Sequence, residues 1–399
     1  MIFMIPAWLS FLIVLTLILI LSKKELGVVL ILGSILLGLL TNVDLIKSSL
    51  NVFFELSTIL LALSVTLIAL LGGIMEESGL ILELIKKLRV SNKLSLMLSP
   101  AIFGLLPVAG GALMSAPIVD QIDPNLSPYK KVSINVWYRH VLLLIYPLSS
   151  AILVASSLSR LALYSIIISL IIPFFGMIVI GYITLLRSIT SRNTNLERNL
   201  KVVLYNILPI IVAPVVDFLG RLFFPLILPE FFLLIGLCTS IGVALQISHT
   251  PYSSIFKIVK KMKVWRFPLL IIAMFLFLDV FISSSIPEDL GSLNLSFELF
   301  ILIGFFLGFA TGRVQLPISI LIPIYLTQNL LFVMPLFNFT FMYVAIFLGY
   351  LITPLHPCLA YSINYFKTDF KKSFKILSIP TFMSLGVLYA AYFIIMLII

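Results

Sequence analysis

LSLMLSPAIFGLLPVAGGALMSAPIVDQI, residues 94 to 122, and ELFILIGFFLGFATGRVQLPISILIPIYLTQ, residues 298 to 328, decide how this chain folds. Both are apolar enough for a lipid bilayer, yet each is broken centrally by glycine, proline or a charge. Each half is about 12 residues, or about 18 Å of helix, which reaches the middle of a membrane and no further. Both stretches therefore read as re-entrant hairpins that return to the side they entered from. Their irregular tips must face a cavity or other protein, because lipid cannot satisfy open backbone.

The surroundings agree. The chain has 399 residues, of which 61% are hydrophobic and 11% charged, and its mean hydropathy is +1.21. That composition excludes a soluble protein and leaves no room for a large extramembrane domain. Apolar runs predict ten spans near 3–22, 26–41, 52–74, 132–158, 161–186, 202–228, 230–248, 267–286, 339–364 and 374–398. The start has no basic residue before Phe3 and a Lys23-Lys24 pair after Leu21, which reads as a retained first span with its N-terminus outside.

Charge distribution tests the hairpins. If both re-enter, the loops at 23–25, 75–94, 121–131, 187–201, 249–266 and 366–375 share one side and hold 21 of the 26 Lys and Arg. If both cross, 11 of those 21 move outside and the bias disappears, so re-entry is favoured. The net charge of +10 then reflects cytoplasmic loops, not a nucleic-acid surface. Residues 1–186 form a first repeat, 187–201 a polar cytoplasmic linker and 202–399 a second repeat. Five spans per repeat is an odd number, so the expected fold is all-α and polytopic, with two inverted repeats, each carrying a hairpin.

Several residues could carry chemistry. In the first tip, Pro107 stops a half-helix, Gly110 and Gly111 admit a ligand to the backbone, and Ser115 lies one turn on; close packing of small residues is the plainer alternative. The second tip, TGRVQLP at 311–317, offers Thr311, Gly312, Arg313 and Gln315, with Ser319 beyond. Arg313 costs about 2.5 to 3.5 kcal/mol at membrane depth, so it faces a cavity or a partner, either as an anion clamp or as a structural arginine on helix-end carbonyls. The spans after the hairpins are broken at Pro147–Ser150 and Thr353–Pro357. Their freed carbonyls, with Ser149 and Thr353, would suit Na+, or the prolines are passive kinks. Arg139, His140 and His356 could couple protons, against snorkelling for Arg139 and buried hydrogen bonds for the histidines. His356 and Cys358 are two ligands, too few for a metal site. Asp279 is the best single carboxylate for a cation, against a water-exposed place near the outer end. Asp217 and Arg221, four apart, pair. Residues 255–265 alternate apolar and basic and read as an interfacial segment.

LPVAGGALMSAPIVD (106–120), NVWYRHVLLLIYPL (135–148) and LGYLITPLHPCLAYSINYF (348–366) resemble the prokaryotic membrane family catalogued as domain of unknown function 401, grouped with the ion transporter superfamily. The resemblance implies two inverted repeats, elevator-like transport of ions or anions, and a homodimer. Two departures stand out. Val141 to Ile145 is apolar where relatives carry an acidic residue, and Val108 to Gly111 lacks the Ser-Asn-Thr of dicarboxylate carriers, which weakens the case for a dicarboxylate. The expectation is a secondary transporter in a cell membrane, moving a small anionic solute with Na+ or H+. No cofactor is expected, and the partners are the lipid bilayer and the solute. A membrane-embedded enzyme or a passive channel is the alternative; HExxH and G-x-S-x-G motifs are absent.

Overall fold

The computed structural model describes residues 6–21, 24–88, 90–105, 111–191, 199–251 and 253–398. Every regular element among them is helical. Seven helices are long and apolar enough to cross a membrane: Leu56–Glu77, Leu163–Leu186, Leu200–Phe223, Pro229–Ser248, Arg266–Ser283, Leu336–Tyr365 and Phe370–Ile398. This is a multi-pass membrane protein. Ala7–Leu21 and Leu26–Thr41, shorter but equally apolar, pack on each other.

The two stretches that decide the fold are each two helices. The first is Asn92–Gly104 followed by Gly111–Ile122, the second Phe297–Thr311 followed by Gln315–Gln328. In the second, Gly312 adopts φ +63°, a left-handed turn that closes the preceding helix through its N–H to Gly308. Proline also divides the following spans: Pro128–Val141 from Ser150–Ser159, and Leu336–Ile352 from Pro357–Tyr365. Four short helices lie wholly or largely outside the expected spans. They are Leu45–Phe54, Leu80–Leu88, Ser253–Met262 and Ile286–Gly291. Ser253–Met262 covers most of the expected interfacial segment. It buries Ile258 and Met262, and its Lys261 reaches Glu77 at 2.5 Å, a bond that holds the ammonium above the usual lysine range.

Residues 7–186 and 200–398 run through the same succession of elements, and their packing is reciprocal. Leu26–Thr41 packs on Arg266–Ser283, and Pro229–Ser248 packs on Leu56–Glu77. Likewise Gly111–Ile122 packs on Pro357–Tyr365, and Gln315–Gln328 on Ser150–Ser159. The early helices of both stretches thus gather in one layer, while the two-helix stretches, broken helices and final spans gather in another.

Glycine sets the closest approaches in the second layer. A Cβ at Gly349 would collide with the Phe305 carbonyl, one at Gly308 with the Ile346 carbonyl, and one at Gly104 with the Arg139 carbonyl. Gly304 and Gly308, four apart, let two helix backbones touch where lipid gives no hydrophobic drive for association.

Candidate functional site

The broken helices bring together four residues whose positions in the sequence are far apart. Arg139 and His140 end the helix Pro128–Val141, while Tyr350 and His356 flank the break at Thr353–His356. His140 and His356 meet edge-on with ring centroids 4.5 Å apart, and Tyr350 stacks on His356 at 4.4 Å. The Tyr350 hydroxyl lies 3.5 Å from His140 Nε2. Arg139, His140 and His356 are buried, at 5%, 2% and 1% exposure. Arg139 is therefore no snorkelling residue, because its guanidinium stays inside the protein.

The histidines are oriented from behind. His140 Nδ1 lies 2.7 Å from the Val136 carbonyl, and His356 Nδ1 lies 3.4 Å from the Leu351 carbonyl. A carbonyl only accepts, so each Nδ1 carries the hydrogen and each Nε2 presents a lone pair to the cluster. His356 Nε2 and Arg139 Nη1 are buried with no hydrogen-bond partner among the described residues. Arg313 lies within electrostatic reach of both Tyr350 and His356, so guanidiniums from two distant parts of the chain act on the same cluster.

One turn before Arg139, Asn135 is fully buried and donates to Ser362 Oγ at 2.9 Å and to the Ala112 carbonyl at 3.2 Å. It ties the first broken helix to the helix after the second break. Its four-residue spacing from Arg139 was the available sequence signal, and the sequence reading passed over it.

The remaining expected residues are scattered. Pro107 and Gly110 lie outside the described residues, while Gly111 opens Gly111–Ile122 and Ser115 is buried in it, its hydroxyl 3.4 Å from the Ala112 carbonyl. The Thr311 hydroxyl is 2.7 Å from the Leu307 carbonyl and takes the Arg313 N–H at 3.3 Å, because the Gly312 turn folds back on it. Thr353 Oγ1 likewise accepts the Leu355 N–H. Gln315 donates to Ser150 Oγ at 3.1 Å, linking the helix Gln315–Gln328 to the first break beside buried Ser149.

Asp279 does not join this cluster. It lines a separate cavity of about 600 Å3 with Glu55, Asn51, Arg160 and Thr327, and its Oδ2 has no partner among the described residues. Asp217 receives Arg221 at 2.9 Å and the Tyr164 hydroxyl at 2.9 Å.

A multi-pass helical bundle with buried Arg139, His140 and His356 clustered where two helices break is the class that this arrangement defines. The chain belongs to the family described as protein of unknown function (DUF401), which it matches over residues 6–398. No curated protein matches it.

Proposed function

We propose that this protein is a secondary transporter of a cell membrane that moves a small anionic solute, coupled to Na+ or H+, by an elevator-like displacement. The observation that carries the reading is the convergence of Arg139 and Arg313 on Tyr350 and buried His356 where two apolar helices break. A buried charge is retained where it meets a counter-charge, and the unpartnered Arg139 Nη1, with the Arg313 guanidinium within electrostatic reach of the same rings, supports an anion's place there. The reciprocal packing supports an inverted repeat: with five crossings each and a re-entrant hairpin in between, the two halves relate by a two-fold axis in the membrane plane. The separation into a layer of early helices and a layer of hairpins and broken helices suits a fixed scaffold and a moving carrier. The histidine pair offers a route for a coupling proton, and the carbonyls freed at the two breaks offer one for Na+. The basic loops favour an outside N-terminus, and membership of the ion transporter superfamily, with the homodimer it implies, accords with this arrangement.

The test is a thermal-stability screen of the purified protein against organic and inorganic anions, with and without Na+, followed by uptake of the stabilising anion into proteoliposomes. Saturable uptake that follows an imposed ion gradient supports the carrier. Absence of stabilisation by any anion, with Arg313→Gln leaving uptake unchanged, rejects it.

A further inference from the structure

The cluster contains a third soft ligand that the anion reading does not use. We infer that His140, His356 and Cys358 bind a thiophilic monovalent metal ion, Cu+, between the two broken helices. One donor atom from each residue lies within 4.8 Å of the other two. Metal bonds of about 2.0 Å to nitrogen and about 2.3 Å to sulfur put such donors roughly 3.5 to 3.7 Å apart, so side-chain rotations of about an ångström close the triangle.

The histidines have the outer support of metal ligands. Each donates its Nδ1 hydrogen to a backbone carbonyl, which orients the ring and turns Nε2 toward the cluster, where that of His140 meets the Tyr350 hydroxyl at 3.5 Å. His356 Nε2 is buried and unpartnered among the described residues. Thiol and imidazole select soft cations over Mg2+, Ca2+ or Mn2+, which take oxygen.

Charge then selects the valence. Arg139 lies beside the Cys358 sulfur, and Arg313 lies within electrostatic reach of His356. Coordination replaces the thiol hydrogen: Cys358–SH and Cu+ give Cys358–S–Cu and a proton released to solvent, with no change of oxidation state. The thiolate and a monovalent ion sum to zero and are not opposed by the two guanidiniums. A divalent ion would keep a net positive charge against them. The inference does not depend on anion transport, since it concerns binding alone.

The test uses full-length protein in nanodiscs, with Cys238, the other cysteine, changed to serine in all variants. Ag+, a redox-inert stand-in, and Cu+ held by a competing chelator are titrated without oxygen, and bound metal is counted after gel filtration. One ion per chain is expected, with about one proton released per ion in weak buffer. Cys358→Ser, His356→Gln and His140→Gln are each expected to weaken binding at least tenfold while the protein elutes as a single folded species. Cys358→Met, which keeps a sulfur donor without an ionisable hydrogen, is expected to bind with no proton release. Failure of the Cys238→Ser protein to bind, or binding undiminished in both Cys358→Ser and His356→Gln, overturns the site. Tighter binding of Zn2+ than of Ag+ overturns the assignment of valence.

Discussion

His140 and His356 stand with their ring planes 71° apart and their centroids 4.5 Å apart, His140 held from behind by a carbonyl of its own helix and His356 by the Leu351 carbonyl at the end of the helix before the break. A full turn of either ring would give up a backbone bond. The two helix breaks are therefore registered on each other by imidazoles as well as by apolar packing.

Arg139→Gln removes one of the two charges on this pair while keeping most of the side chain's volume. Anion-induced stabilisation and uptake should fall by about 10- to 100-fold, since hydrogen bonds to charged groups contribute about 1.5 to 3 kcal/mol. Arg139→Lys should not restore them, because a point charge cannot reproduce a planar fork. Dose-dependent melting shifts with the identified anion are the measurement, and full activity in the glutamine variant would reject the role.

Gly349→Ala should lower the melting temperature of the purified protein, because its methyl group meets the rigid Phe305 carbonyl; overpacking of this kind costs about 1 to 3 kcal/mol. Gly386→Ala, where a Cβ has open space, is the matched control and should leave the melting curve unshifted or slightly raised. Equal melting temperatures for the two variants would show that the helix pair is looser than its geometry.

Arg221→Gln strands the fully buried Asp217 carboxylate with Tyr164 as its remaining side-chain partner. Breaking a buried pair from one side costs about 3 to 5 kcal/mol. The double variant Asp217→Asn, Arg221→Gln should recover much of that loss, and a thermal double-mutant cycle measures the recovery. Additive losses would mean that the pair is not coupled.

Single cysteines at Asn125 and Lys257, in a chain lacking Cys238 and Cys358, should react with an impermeant maleimide only in inside-out vesicles. One at Leu226, whose side chain is fully exposed, should react only in right-side-out vesicles. Labelling of Asn125 and Leu226 from the same side would dismiss the re-entrant arrangement.

Spans, breaks and the two-helix stretches were legible because hydropathy and proline act locally. The division at Pro147–Ser150 lies between observed helices ending at Val141 and beginning at Ser150, with a short 3-10 turn between them. The meeting of Cys358 with His140 was not legible, since His356 and Cys358 supply two ligands in sequence and the third arrives only when distant helices pack. The same holds for Arg139: about two turns inside its expected span it could have snorkelled to the basic interface, yet packing seals it inside. The cavity that Asp279 lines was not legible either, because isolation along the chain says nothing about which residues a carboxylate meets. The short helices at Leu45–Phe54 and Leu80–Leu88 were hidden beside stronger apolar runs.

The glycine seams have a mechanical result. Where Phe297–Thr311 lies on Leu336–Ile352 with carbonyl against bare Cα, there is no side-chain cushion to shear, so the two rods are geared together. Anything gripped at the end of one must ride with the other, as freight on a single carriage.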